Sequence, residues 1–538
     1  MRPSALSLII PAIAVLSGSC VKNSDPEKPN VIFILADDLG FGDLACYDNP
    51  YIETPVIDKL ASQGIRLTNC YAGSAICAPS RAATLTGRYN HRTGAIDVSS
   101  NRGIDRINLS EKTMGDYFRN AGYVTGLIGK WHCGIYNDEY LPFNRGFDFF
   151  YGFPNGVQDY YNWNLMRNGI YEKHDGRYLT DVINREAISF IEKNKNRPFF
   201  LFMAHHAPHS PLLAPDSLIQ KYKSKNDGTY SDDVARIYAM IEAMDTGLGW
   251  VIDKLEEVNL TRKTIIVLTS DNGAWIMGSY DRFKAGLSGC KSNVLEEGIK
   301  VPGIVVWPGK IKAGITIDTP LSGIDWLPTL FSLTGGKAPE NAKPFDGENL
   351  MPVFLQEKIV TPTERILYFQ LNRYTSVQHS DATIKWGKWK LYWPGVPETM
   401  KKDNNRDNPS VVKGTTEKHW EMPIDYELNG YEYIVTLPPK LFNLEEDPYE
   451  KKDLSASYPD IVDSLSILYD RWFGSVHADW KVSFNEIIEH DKAYWKDRTI
   501  PDARILFKNF WFWNRVKADS LTADPLEVFR GYWDYSWK

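Results

Sequence analysis

Five apolar runs constrain this chain more than any other feature. VIFILA (31–36), YVTGLI (123–128), PFFLFMA (198–204), TIIVLTS (264–270) and VPGIVVW (301–307) are short and almost free of polar side chains. Such runs suit strands buried on both faces. Between them, TPVIDKLASQG, TMGDYFRNAG and VARIYAMIEAMDTGLGWVIDKLEEV carry the spacing of amphipathic helices. Strand–helix alternation from residue 30 to about residue 335 predicts an α/β fold, a mostly parallel sheet flanked by helices.

Sheets of this kind bind ligands where strands end at their carboxyl edge. Four of the runs end in polar chemistry. VIFILA leads into Asp37 and Asp38, and TIIVLTS into Asp271, Asn272 and Gly273. YVTGLI leads into Gly129-Lys130-Trp131-His132, and PFFLFMA into His205 and His206, with His209 close behind.

Beyond about residue 360 the pattern changes. TIKWGKWKLYW alternates like a strand, and PDIVDSLSILYDRWFGSVHADW reads as a helix. The expected organisation is a leader at 1–20, a polar linker at 21–29 and a catalytic domain at 30–360. A smaller α+β subdomain at 361–490 and an aromatic-rich extension at 491–538 complete it. The leader MRPSALSLIIPAIAVLSGSC has one Arg, a short apolar core and small residues before Cys20. It reads as a lipoprotein-type signal with Cys20 lipidated, the alternative being a plain secretory signal. Either places the protein outside the cytoplasm, in the periplasm or at the outer membrane or cell surface. A membrane would then be reached only through a lipid on Cys20.

The 538 residues carry a net charge of −7 with the two signs interspersed, which gives no basic footprint for nucleic acid. Seventeen Trp and 29 Tyr suit carbohydrate surfaces. Cys46, Cys70, Cys133 and Cys290 fit no metal spacing and read as free and structural.

Asp37, Asp38 and Asp271 offer carboxylates and Asn272 an amide oxygen, the hard donors that Ca²⁺ or Mg²⁺ selects. Each alone is more often a helix cap or a turn; two strand ends bringing four oxygens together favour a metal. CAPSRAATLTGR (77–88) reads as a short helix with Pro79 at its first position and Gly87 at its end. Arg81, four residues after Cys77, shares its face, and Lys130 and His132 point the same way on an extended chain. Together they describe an anion pocket beside a nucleophile.

Cys77 to Gly87 also carries a resemblance. C-A-P-S-R-A-A-T-L-T-G is similar to the C-x-P-S-R-x-x-x-L-T-G motif of the type I, formylglycine-dependent sulfatases. ILADDLGFGD, GRYNHRTG, GKWHCG, NRGFDFFYGF, APHSP, TSDNG, CKSNVLEEGIKVPGIVVWPG and KLFNLEEDPYEKKDLS follow in that family's order, over about residues 30 to 470. Cys133 stands where leucine is usual there, and Glu297 where glycine is frequent.

The resemblance implies an alkaline-phosphatase-like fold and hydrolysis of sulfate esters. It implies that a maturation enzyme oxidises Cys77 to formylglycine, whose hydrate supplies one hydroxyl to attack sulfur and a second to expel sulfate. It implies that Asp37, Asp38, Asp271 and Asn272, with the modified Cys77, hold Ca²⁺. Arg81 and Lys130 would polarise the diol, Lys291 and His209 would hold the sulfate ester, and His209 would protonate the leaving alcohol. His132 would take the proton that releases sulfate. His206 would line the pocket, while His205, Arg88 and His91 would be structural. A sulfated carbohydrate of host or algal origin is the expected partner. Its contacts are sought in 97–106, 155–169 and 371–381, where Arg102, Arg106, Asp159, Trp163, Arg373 and His379 are candidates. The rival readings are an arylsulfatase, a phosphonate or phosphate ester hydrolase on the same fold, and a non-catalytic binder of sulfated glycans.

Overall fold

The computed structural model describes residues 28–98, 104–135, 137–275, 281–373, 376–396 and 436–495. Cys20 and its leader, Arg102, and the aromatic extension past residue 495 lie outside the described residues.

Ten strands form the main sheet. From one edge to the other they are Ile315–Ile317, Ile65–Leu67, Gly303–Val306, Thr264–Ser270, Asn30–Ala36, Phe199–Ala204, Val124–Lys130, Phe149–Phe153, Asn164–Arg167 and Ile170–Lys173. The five from Thr264–Ser270 to Phe149–Phe153 run parallel. Both faces of this centre are covered, which is why its strands read as unbroken apolar runs. Ile32, Ile34, Leu201, Met203, Ile266 and Leu268 pack under helices Pro55–Gln63, Leu179–Asn194 and Asp232–Glu257. Val31, Phe33, Leu35, Phe200, Phe202 and Val267 pack under helices Cys77–Thr86, Met114–Asn120 and Trp326–Phe331.

Two elements differ from the reading of the sequence. TIKWGKWKLYW is not one strand but a hairpin, Ala382–Trp386 and Trp389–Trp393, turned at Gly387 with φ +55°. With Ile366–Gln370 and Lys440–Asn443 it makes a four-stranded antiparallel sheet. The C-terminal helix does not stop near Trp480 but runs from Pro459 to Trp495, through the expected boundary at 490. Its extra turns are held by the first domain: Arg106 pairs with buried Asp491, and Asn108 Nδ2 donates to Glu486 at 2.7 Å.

The same helix closes over His91. Trp472 lies edge-on to it at 5.7 Å, and His91 Nε2 donates to Gln370 Oε1 at 2.7 Å. Burial lowers His91 to about 4. The unfolded chain therefore binds a proton here that the folded chain refuses. The stability this neutral histidine lends is complete above about pH 6.5 and is lost as pH falls through 4. We expect acidification from pH 7 to 4.5 to cost about 2 to 3 kcal/mol through His91 alone. Urea unfolding at both pH values checks it: His91→Gln should lose that much less on acidification than the parent.

Candidate active site

Strand register builds the site. Ala36 pairs with Ser270 and Leu35 with Ala204, so the residues that follow each strand emerge side by side. Gly129 pairs with Ala204, which sets Lys130 on the same edge. Asp38 turns away from its strand at φ +67°, a conformation a non-glycine residue holds at a cost. Its N–H donates to Asp271 Oδ1 at 3.3 Å.

Helix Cys77–Thr86 ends as expected, with Gly87 at φ +67° donating to Ala83 O at 2.9 Å. It begins at Cys77, so Pro79 is its third residue rather than its first. Pro79 still falls in the first turn, where backbone N–H groups lack intrahelical partners. Gly73 and Gly323 crowd this helix: a Cβ on Gly73 would lie 2.6 Å from Ala83 Cβ.

Three carboxylates meet three cations here. Lys130 Nζ donates to Asp37 Oδ2 at 2.6 Å, Lys291 Nζ donates to Asp38 Oδ1, and Arg81 Nε donates to Asp271 Oδ2 at 2.8 Å. Arg81 Nη1 also donates to Lys130 O at 3.0 Å. Burial works against the charge on Asp37, yet Lys130, His209, His206 and Arg81 outweigh it and hold this carboxyl well below its usual range. Asp38 is lowered against its burial by Lys291 and His209. Lys130 and Lys291 neutralise Asp37 and Asp38 and so let these ionised groups sit in one buried cluster, whereas burial and Asp37 push Asp271 up to about 7 against the pull of Arg81 and Lys130.

Cys77 Sγ lies 3.7 Å from Asp37 Oδ1. Burial pushes its thiol up to about 12, with Lys130 and Lys291 pulling the other way. An unmodified Cys77 is thus a neutral thiol near pH 7, a weak nucleophile.

Several of these side chains lie close enough together to share a metal ion. Ligand atoms of Asp37, Asp38, Cys77 and His209 lie within 4.8 Å of one another. Asn272 Nδ2 donates to Asp38 Oδ1 at 2.7 Å, while its Oδ1 is buried with no hydrogen-bond partner. That orphaned oxygen, beside buried carboxylates, is what an oxygen-ligated cation would satisfy. Asp271 reaches the group through Asp38 but spends one oxygen on Arg81.

The histidines divide by partner. His206 Nδ1 donates to Asp37 Oδ2 at 3.1 Å, and its Nε2 accepts from Gln158 N at 3.2 Å. Its ring is stacked between Tyr160 and His209. His209 Nδ1 donates to Ser210 O at 2.7 Å, leaving Nε2 3.8 Å from Asp38 Oδ2. Burial lowers His209 to about 3, against the pull of Asp37 and Asp38. His132 leaves its strand at φ +56° instead of continuing it, and its Nδ1 has no partner. Burial, then Lys130 and Arg81, keep its ring neutral. Gly156 lies flat on that ring: a Cβ there would fall 2.5 Å from His132 Cε1. His205 is fully buried, and burial lowers it to about 3.

The candidates for sugar contact scatter. Asp159 is buried, and its Oδ1 accepts from Tyr161 N and Asn162 N at 2.7 Å, which is turn chemistry. Trp163 is buried and donates to Arg177 O at 2.9 Å, a packing position rather than an open platform. Arg106 is fully buried against Tyr140 and Asp491. His379, in the turn before strand Ala382–Trp386, stacks on Trp393 and lies 2.6 Å from Asp470 of the C-terminal helix. Arg373 sits buried beside Asp97. Arg88 pairs with Glu111 at 3.3 Å.

Residues not singled out from the sequence also shape the site. Arg282 forks onto Asp43 and donates to Asp38 O at 2.9 Å, holding the strained turn. Asp43 closes the quoted stretch ILADDLGFGD; Arg282 carries no sequence signal of its own. Asp381 accepts from Val294 N at 3.3 Å and so ties the loop after Lys291 to the second domain. All five described cysteines are free.

An anion entering this edge meets ammonium and guanidinium groups interleaved with oxygen donors, a set that suits hydrolysis of an anionic ester. Comparison with known proteins narrows that class. Residues 29–336 match the Sulfatase family model. Dog (Canis lupus familiaris) arylsulfatase H is 30% identical over 536 residues, covering 82% of this chain and 89% of its own. Human N-acetylgalactosamine-6-sulfatase is 27% identical, covering 82% of this chain and 84% of its own. The crystal structure of Ps i-CgsB superposes with a TM-score of 0.69 at 28% identity, over 86% of this chain and all of that one. The chain belongs to the sulfatase family, within the alkaline-phosphatase-like superfamily. It is a sulfuric ester hydrolase.

Proposed function

We propose that this enzyme removes sulfate from a saccharide, using formylglycine made from Cys77 and Ca²⁺ held by Asp37, Asp38, Asp271 and Asn272. The observation that carries the reading is Cys77 itself. The residue stands in an intact C-A-P-S-R segment at a helix mouth, 3.7 Å from Asp37, with its thiol held neutral. The modified side chain would supply an oxygen nucleophile with a second oxygen on the same carbon, and the cation a Lewis acid.

The chain's own residues do the rest. Lys291 brings positive charge to the sulfate oxygens, and Arg81 and Lys130 hold and polarise the diol. His132, neutral and with Nδ1 unpartnered, is the base. His209 is the acid. Its Nδ1–H is committed to Ser210 O, so the proton for the leaving oxygen comes from Nε2. Burial keeps the free ring neutral against the pull of Asp37 and Asp38, so the Nε2 proton is taken up with the substrate, whose negative charge beside the ring favours the imidazolium.

Support for a saccharide comes from relatives: the N-acetylgalactosamine-6-sulfatases, and Ps i-CgsB, which has been crystallised with k-i-k-neocarrahexaose. Similarity to arylsulfatase H supports the second reading, an aryl ester substrate. Two experiments test the proposal. Mass spectrometry of the Cys77 peptide from the native host should show formylglycine; an unmodified cysteine in active enzyme refutes that step. Sulfated mono- and disaccharides should be hydrolysed with higher kcat/KM than nitrophenyl sulfate; the reverse order favours the aryl reading.

The acid gives a separate expectation. His209→Ala should slow alkyl sugar sulfates by about 10²- to 10⁴-fold. A nitrophenyl sulfate, whose leaving oxygen needs little protonation, should lose far less. Equal losses would make His209 a binding residue only.

A further inference from the structure

Arg373 is buried yet underused. Its Nη1 lies 2.9 Å from Asp97 Oδ1, and Asp97 is fully buried. Its Nε and Nη2 are also buried and have no hydrogen-bond partner among the described residues. A desolvated guanidinium with two idle donors is costly to keep, and native structures rarely leave such groups idle without a purpose.

Its place in the fold suggests the purpose. Leu371, two residues before it, packs in one cluster with Ile76 and Val294, and Val98, next to Asp97, packs against that cluster. Ile76 precedes Cys77, and Val294 follows Lys291 by three residues. Backbone bonds stitch the same parts together: Ser292 N to Ala75 O at 2.8 Å, Leu371 N to Asp381 O at 3.0 Å, and Val294 N to Asp381 Oδ1 at 3.3 Å. The Asp97–Arg373 pair is thus joined through this cluster to the two segments that carry the nucleophile and Lys291.

Charge decides what it would hold. Asp97 cancels the charge of Arg373, and a second anion at this guanidinium would meet the Asp97 carboxylate as well. Two parallel N–H donors in a neutral pair suit two adjacent neutral oxygens. We propose that Arg373, held by Asp97, is a specificity residue whose Nε and Nη2 donate to a vicinal pair of hydroxyl oxygens on the sulfated sugar ring. This rests on the saccharide reading above.

The test is steady-state kinetics on 6-sulfated N-acetylgalactosamine, galactose and glucosamine and on their monodeoxy analogues. For the best-hydrolysed sugar, deleting either of two adjacent hydroxyls should lower the parent enzyme's kcat/KM by about 10- to 100-fold, chiefly through KM. Arg373→Lys should cost a similar factor on the intact sugar and should shrink the deoxy penalty to less than about threefold, because the two changes remove one interaction. Arg373→Gln, which can still donate to Asp97, should behave alike if the lysine variant folds poorly. An undiminished deoxy penalty in both variants would make Arg373 a packing residue and overturn the proposal. So would a loss confined to substrates that carry a second sulfate or a carboxylate, which would mark an anion subsite. If the parent enzyme hydrolyses nitrophenyl sulfate but no saccharide sulfate, the saccharide reading itself fails and the subsite with it. Saccharide turnover with an unchanged deoxy penalty overturns the subsite alone.

Discussion

Cys77→Ala should fold as the parent does and lose turnover by about 10⁶-fold, the scale on which a covalent catalyst fails without its nucleophile. The fold survives because the change deletes one sulfur from a buried helix start and leaves the helix backbone as it was. Turnover does not, because Lys130 and His206, which meet Asp37 among the described residues, are committed to its carboxylate. Cys77→Ser should be as inactive in a host whose maturation enzyme accepts only cysteine. A serine offers one oxygen where a hydrated aldehyde offers two. Continuous assay of sulfate release and thermal melts of both variants check this. Multiple-turnover hydrolysis by Cys77→Ala, at a rate within about a thousandfold of the parent, would overturn the nucleophile assignment.

Much of this site was readable before the fold was known, for a physical reason. Parallel strands place their carboxyl ends together, so residues just past an apolar run belong to one edge. Asp37, Lys130, His206 and Asp271 all follow that rule. What could not be read is the pairing across that edge. Arg81 and Asp271 lie 190 positions apart, and nothing local says that this arginine takes that carboxylate.

Other misreadings have local causes. In WGKW a tryptophan stands on each side of the turn, so the hairpin mimics one alternating strand. Beyond Trp480 the C-terminal helix reads KVSFNEIIEHDKAYW, whose charges suggest solvent; Glu486 and Asp491 instead meet Asn108 and Arg106 of the first domain. His132 broke the expected extended course because its φ of +56° turns the ring onto Gly156. Trp163 looked like a sugar platform by composition, but its indole N–H is satisfied by Arg177 O inside the core.

The second large effect concerns the buried pair of Asp37 and Lys130, both essentially without solvent contact and 2.6 Å apart. Asp37→Asn keeps the shape and removes the charge. Lys130 is then a buried ammonium without its hydrogen-bonded carboxylate, with Asp271 left as a weaker counter-charge that Arg81 already holds. Stranding one member of a buried ion pair costs about 3 to 5 kcal/mol, so the urea midpoint should fall sharply. Lys130→Met should cost less, because Asp37 keeps the His206 N–H at 3.1 Å and Arg81 Nη2 at 3.9 Å. The double variant Asp37→Asn/Lys130→Met removes both charges at nearly constant volume and should regain most of the stability that Asp37→Asn lost. Turnover should not return with it. On the proposed mechanism Asp37 would give an oxygen to the cation and Lys130 would polarise the diol, so all three variants should stay at least about 10³-fold slow. Both carboxylate variants should also bind less calcium by elemental analysis. Stability that fails to recover in the double variant would mean that Asp37 holds the fold by some contact other than Lys130. Activity that recovers with stability would mean that the pair is scaffolding, and that neither residue acts in catalysis.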